Sequence, residues 1–380
     1  MDVNGYNRVG VVSPAEGQTQ AEILAEAKSG VIDDTQNTQK DIDQIRGLLS
    51  GSIPSQDAQS EAYRLLIVGA CNALYERMPY MFERIQDFTE LLMPDDLLSE
   101  NSVLAELRKV RPGRLGDINL YPDYAKPHQM GEETYDEYVR LFLKTVDVDV
   151  LCMDHYPIFK PDKDTRHRYC NNLETMRKFS LRKGIAFWNY FNSMPHGALT
   201  DPTEAQIRWQ VYTSIAYGAK GVNYFTYGTP KTFEFPKGSS ILRHWHQAKR
   251  INGAIKNLGP TLMKLTNTGM YRVEPKNDPA KVLRGCPITN LKRAAVDPLL
   301  DYLIGTFKHA DGRRAVMLNN YRFAYTAWPT VEFDVPTDQV HEVDQKTGRV
   351  VPIYDDSPNM EGLHISLDAG AGRLFLLPKK

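Results

Sequence analysis

Residues Asp149 to Lys160 read DVLCMDHYPIFK and place a carboxylate, an imidazole and a phenol directly behind an apolar run. Val150, Leu151, Cys152 and Met153 have the composition of a strand buried on both faces, and Pro157 stops it. Asp154, His155 and Tyr156 then stand at the strand's C-terminal tip. An acid there is costly unless it caps a turn, holds an Arg, or meets something polar that binds. The same grammar recurs along the chain. Asp33 follows Val31-Ile32, and Asp95 with Asp96 follows Phe88 to Met93. Asn119, Tyr121 and Tyr124 lie in or behind a run from Asp117. Trp188, Asn189 and Asn192 lie at the end of a run from Ile185, and Tyr224 with Tyr227 follows Val222. Acids able to cut a glycosidic bond, amides that hold hydroxyls and aromatic faces that stack on pyranose rings are the equipment of a sugar site.

Other chemistries find less support. His155 and His196 are the histidines expected among these strand ends, and there is no HExxH. A metal-dependent hydrolase would have to use Asp33, Asp154 and His155. No GxGxxG or GxxxxGK[ST] phosphate loop and no GxSxG nucleophile turn occurs. No cofactor is expected.

The elements that must position these residues alternate. Strand-like runs are interleaved with helical ones: Ala21 to Lys28, Asn101 to Val110, Thr134 to Val146, Asn171 to Arg182, a helix opened by Asp201-Pro202-Thr203-Glu204, and Ile241 to Leu258 stopped by Gly259-Pro260. About eight strand-then-helix units in about 250 residues is the size of a closed barrel. The reading is therefore an α/β chain, a (β/α)8 TIM barrel over residues 1–262. A small antiparallel β-sandwich follows over residues 263–380. There the runs shorten to Met270 to Val273, Leu303 to Phe307, Ala315 to Asn319, Val331 to Val335, Glu342 to Asp344, His364 to Leu367 and Arg373 to Leu377. Glu204 reads as the capping-box partner of its helix, and Arg208 as a helix-surface residue paired with an acid.

The chain has 380 residues and a mass of 43.2 kDa, enough for a large barrel with an accessory domain. Lys plus Arg number 46 against 47 Asp plus Glu, so the net charge of -1 offers no electrostatic attraction to nucleic acid or an anionic membrane. The expected partner is a neutral carbohydrate. Cys71, Cys152, Cys170 and Cys286 lack metal-ligand spacing and read as reduced core thiols. Neither a transmembrane run nor a charged-then-apolar leader is evident, so the chain reads as cytoplasmic as written, or as secreted with its signal peptide absent.

Several stretches together resemble a poorly characterised group of TIM-barrel glycoside hydrolases of the β-galactosidase-like clan. They are Asn119-Leu120-Tyr121-Pro122-Asp123-Tyr124, Asp154-His155-Tyr156-Pro157, Phe187-Trp188, and Arg208-Trp209-Gln210-Val211-Tyr212 through Ala216-Tyr217-Gly218-Ala219-Lys220-Gly221. Members commonly carry a C-terminal β-domain. The resemblance implies an acid/base carboxylate after the fourth strand, often in Asp-Glu-Pro or Asn-Glu-Pro. Here the segment reads Met93-Pro94-Asp95-Asp96-Leu97, without the Glu. The seventh strand, where the clan's nucleophile lies, offers Asn189 and Asn192 and no acid. On this resemblance Asp95 or Asp96 is the general acid and Asp154 the nucleophile or water-activating base. Tyr121, Tyr156, Trp188 and Tyr227 would stack on sugar, and Asn119, Asn189, Asn192, His155 and His196 would contact hydroxyls. The missing Glu also admits a barrel that binds glycans without cutting them.

Overall fold

The computed structural model describes residues 104–379 apart from 106–107, 110–111, 161–162, 196–197 and 226–242. The chain divides into two compact units, residues 1–112 and 113–380, and the second is the one described here. Of the helix read over Asn101 to Val110, Leu104, Ala105, Arg108 and Lys109 are described and are helical; the earlier strand and helix readings, and the site candidates Asp33, Asp95 and Asp96, lie outside the described residues. So do His196 and Tyr227.

Four parallel strands lie side by side in sequence order: β1 (Asp117–Leu120), β2 (Val150–Asp154), β3 (Ala186–Asn192) and β4 (Gly221–Phe225). Between β1 and β2 come a single helical turn, α1 (Pro127–Met130), and α2 (Tyr135–Thr145). Thr134 caps α2 by accepting the Glu137 N–H, and Val139, Phe142 and Leu143 give it a buried stripe. The crossovers β2–β3 and β3–β4 are α3 (Arg166–Lys183), closed by Gly184 at φ 77°, and α4 (Glu204–Ala216). Strand, helix and parallel neighbour is the repeating unit of α/β proteins. Among the described residues the four strands do not close on themselves.

Two local readings change. The capping box of α4 is Thr203 with Gln206, not a box closed by Glu204: the Thr203 hydroxyl accepts the Gln206 N–H and the Gln206 side chain accepts the Thr203 N–H. Glu204 is thereby free to face outward, where it pairs with Arg208 and Arg250. The last long helix, α5 (Arg243–Leu262), runs through Gly259-Pro260 instead of stopping there. A proline so near a helix end leaves only one carbonyl of the preceding turn without its donor, and the Met263 N–H still reaches the Gly259 carbonyl.

After α5 the chain forms a six-stranded sheet in the order β11-β10-β12-β8-β7-β5, with every pairing antiparallel. Its members are β5 (Leu265–Val273), β7 (Tyr302–His309), β8 (Arg314–Asn320), β10 (His341–Val343), β11 (Val350–Pro352) and β12 (Gly372–Leu377). A short helix, α6 (Pro279–Val282), leads to β6 (Ile288–Lys292), which pairs with β9 (Thr330–Phe333). The run His364 to Leu367 makes isolated bridges to Thr330 and Ala327 instead of a strand. One face of the large sheet, with Val273, Ile304, Leu318 and Phe375, shares a core with Ile288 and Leu291 of β6 and Val331 of β9.

The other face of that sheet receives α4. Asn319 donates to the Tyr212 carbonyl at 2.7 Å, and Tyr212 donates to the Gln345 side chain at 2.7 Å. Gly305 lies so close to the Ala216 carbonyl that a side chain there would collide with backbone. Nine residues of α4, from Ile207 to Ala216, are buried, polar Gln210, Thr213 and Ser214 among them.

Candidate functional site

Register sorts the strand-end residues onto two faces, because side chains alternate along a strand and paired residues of a parallel ladder point the same way. Asn119 pairs with Cys152, and Cys152 with Trp188, which pairs with Gly221. Asp154 pairs with Tyr190, and Tyr190 with Asn223. Asn192 pairs with Phe225. These share one face. Leu120, Met153, Asn189 and Val222 occupy the other, together with His155 beyond them, and α3 and α4 cover it.

The structure therefore brings together Asp154, Asn119, Trp188, Asn192 and Tyr156, and sets Asn189 and His155 apart. Asn189 is fully buried and donates to the hydroxyls of Tyr169 on α3 and Ser214 on α4. His155, 1% exposed, has its Nδ1 at 2.9 Å from Asn172 Oδ1 and at 3.6 Å from the Asp123 carboxylate, which Arg168 also holds. Asn172 Oδ1 already accepts the Asp123 N–H, so Nδ1 must be the protonated nitrogen. Burial pushes the imidazole down to about 4, and Arg168 pushes the same way. Tyr124 packs edge-on against that ring at 5.0 Å, and Tyr121 is half-buried directly after β1.

On the first face Asp154 is the central group. Burial drives its pKa up to about 6, against the side-chain hydrogen bonds of Tyr156 and Asn119, which favour the anion. Its Oδ1 is buried with no hydrogen-bond partner among the described residues. Two amides on the same face are in the same condition: Asn192 Nδ2, in a side chain wholly shut from bulk solvent, and Asn223 Nδ2. Asn192 Oδ1 accepts the Ile158 N–H at 3.4 Å, which turns Nδ2 away from that loop. Its own carbonyl accepts from Gln210 at 3.0 Å, so α4 fixes this strand end from behind. Tyr156 stacks on Phe225 with ring centroids 5.1 Å apart. The indole of Trp188 lies across Gly221, where a Cβ would come within 2.6 Å of the ring. Tyr190 is half-buried in the row of Asp154.

Tyr190 and Asn223 were absent from the residues expected at this site. The signal was available: with Trp188 and Asn192 on one face, period two places Tyr190 there and Asn189 opposite. A second carboxylate, Asp117, occupies the same face with its pKa raised by burial, but it pairs with Val150, four residues below Asp154. At roughly 3.3 Å per residue that is roughly 13 Å away along the strands. No cluster of three or more His, Cys, Asp or Glu able to hold a metal occurs among the described residues.

No family model matches the chain. Among solved structures, three neighbours are glycoside hydrolases. A rhamnosidase from Novosphingobium sp. PP1Y is 9% identical with a TM-score of 0.40, over 81% of this chain and 40% of that one. A glucosidase from Croceicoccus marinus is 14% identical with a TM-score of 0.32, over 78% and 68%. The GH51 arabinofuranosidase from Xanthomonas axonopodis pv. citri is 12% identical with a TM-score of 0.33, over 79% and 62%. The chain thus spans less than two thirds of the rhamnosidase and the arabinofuranosidase, and TM-scores this low assign neither fold nor activity. Among curated proteins, the adenine-specific methyltransferase BrxX of Escherichia coli O9:H4 (strain HS) is 48% identical over 50 residues. That is 13% of this chain and 4% of that protein, too small a share to transfer an activity.

Proposed function

We propose that the chain is a glycoside hydrolase whose sugar site is the face of β1 to β4 that carries Asp154, with Asp154 as its proton-transferring carboxylate. The supporting observation is the coincidence on one face of a carboxyl poised near 6, two unpartnered amide donors and aromatic rings. In this reading residues 1–262 are the (β/α)8 barrel domain, to which β1 to β4 belong, and residues 263–380 form a β-sandwich docked on α4. Helix α5 ends at Leu262 and β5 starts at Leu265, which suits that boundary.

A carboxyl with a pKa near 6 moves protons well at neutral pH, better than it serves as a permanently charged nucleophile. Asp154 then acts as the base that activates water, ionised above about pH 6. An inverting reaction needs a second carboxyl roughly 6.5–9.5 Å away to protonate the leaving oxygen, which excludes Asp117 as that partner.

Turnover of a panel of aryl glycosides tests the proposal. Asp154→Asn should lower kcat/KM by about 10²–10⁴, and the wild-type rate should rise with pH through about 6. Unchanged turnover in the variant removes Asp154 from the chemistry. A second reading is favoured by one observation, that Asp154 is the lone carboxylate at this level of the described face: a barrel that binds glycans without cutting them. Saccharide binding by calorimetry with no hydrolysis would select it.

A further inference from the structure

Three side-chain atoms on the face that carries Asp154 have no hydrogen-bond partner among the described residues although protein surrounds them: Asp154 Oδ1, Asn192 Nδ2 and Asn223 Nδ2. Leaving such atoms unpaired is costly, so their arrangement describes what they are shaped to meet. The two amides offer protons. The carboxylate, as the anion, offers only lone pairs. A hydroxyl satisfies both, accepting from an amide while donating to Asp154 Oδ1. A carboxylate, sulfate or phosphate on the ligand would satisfy the amides and repel Asp154. Among the described residues, no Lys or Arg occupies any position of β1 to β4 on this side to offset that repulsion. Lys220, which precedes β4 at the opposite end of the strands, turns its ammonium to the carbonyls of Leu262 and Leu265 at 2.6 and 2.5 Å.

We infer that the sugar unit seated against Asp154 is neutral, with adjacent hydroxyls held by Asn192 and Asn223, and that uronic acids and sulfated or phosphorylated sugars are rejected. The inference rests on the sugar-site reading above and narrows it. The amides act as a pair of donors directed at oxygens on neighbouring carbons, and the stacked Tyr156 and Phe225 rings wall the apolar edge of the ring that carries them.

Calorimetric titration at pH 7.5 with matched methyl glycosides tests this. The set is methyl β-glucoside and methyl β-galactoside together with methyl β-glucuronide and methyl β-galacturonide, which differ from the first two only by a carboxylate in place of a hydroxymethyl. The expected result is binding of at least one neutral glycoside, with its acidic counterpart at least about tenfold weaker. Asn192→Leu removes a buried amide and can disturb folding, so Asn223→Leu, at a half-buried position with no recorded hydrogen bond to lose, is made beside it. Each should weaken the neutral ligand about tenfold with unchanged far-UV circular dichroism. Equal or tighter binding of the acidic glycoside, or wild-type affinity in a folded Asn223→Leu protein, overturns the inference and leaves the glycosidase proposal standing. Binding of none of the four overturns both.

Discussion

Asp154 and His155 are neighbours whose titrations should oppose each other in the stability of the protein. Asp154 is raised from 3.8 to about 6, so between those pH values the native chain binds more proton than the unfolded one, and stability falls as pH rises through that window. His155 is lowered from 6.5 to about 4, so the unfolded chain binds more proton there, and stability falls as pH drops from 6.5 to 4. Each gap is a little over 2 pH units, about 3 kcal/mol. In the wild type the two nearly cancel. Removing either unmasks the other. Relative to wild type, Asp154→Asn should gain about 3 kcal/mol as pH rises from below 4 to above 6, while His155→Gln should gain about 3 kcal/mol as pH falls from 6.5 to 4. Urea unfolding followed by tryptophan fluorescence at half-unit pH steps measures both. Other carboxylates titrate in all three proteins, so the differences from wild type isolate the pair. Two difference curves that are flat, or that slope the same way, would refute burial as the state of these two side chains in the folded chain.

Two further substitutions probe what holds the site in place. Gly305→Ala would drive a methyl into the Ala216 carbonyl and should cost about 1–3 kcal/mol, read as a lower urea midpoint, since backbone on both sides leaves no side chain to move. Asp297→Asn should cost about 3–5 kcal/mol: Asp297 is completely buried against Arg322 at 2.6 Å, and neutralising it strands a guanidinium that is 7% exposed. The double variant with Arg322→Met should recover much of that loss, and a double variant no more stable than Asp297→Asn would show that the pair is not the source of the cost.

Much of the second half was legible because its periods are clean. The apolar run Val150 to Met153 is a strand buried on both sides, the α2 stripe of Val139 and Phe142 is buried, and the short runs after Leu262 pair as an antiparallel sheet. What sequence pattern left undecided was facing. Trp188, Asn189 and Asn192 read together as one polar strand end, yet adjacent residues cannot share a face, and only the pairing of Asp154 with Tyr190 tells which parity joins the acid. His155 illustrates a second limit. An imidazole beside a carboxylate suggests a reacting pair, but one step along a strand is half a turn, and its partners Asn172 and Asp123 are brought in from a helix and a loop distant in sequence. The short strands β6 and β11 went unrecognised because Ile288 to Lys292 and Val350 to Pro352 carry too few apolar residues to show a period.

Helix α4 links the antiparallel sheet to the site, and its composition explains why the two come together. An ordinary crossover helix shows one apolar stripe to its sheet and polar residues to water. In α4 Ile207, Val211 and Ile215 are joined by buried Trp209, Tyr212 and Ala216, so nearly its whole circumference needs cover. The sheet of β7, β8 and β12 supplies that cover, with Asn319, Gln345 and the bare backbone of Gly305 and Gly372 fitted to it. The same helix donates from Gln210 to the Asn192 carbonyl and holds Asn189 through Ser214. Positional error in α4 would therefore reach the face that carries Asp154 within one hydrogen bond. The antiparallel sheet reaches the strand of Asn192 through α4, so a role in rigidity accounts for its presence without requiring that it bind saccharide itself.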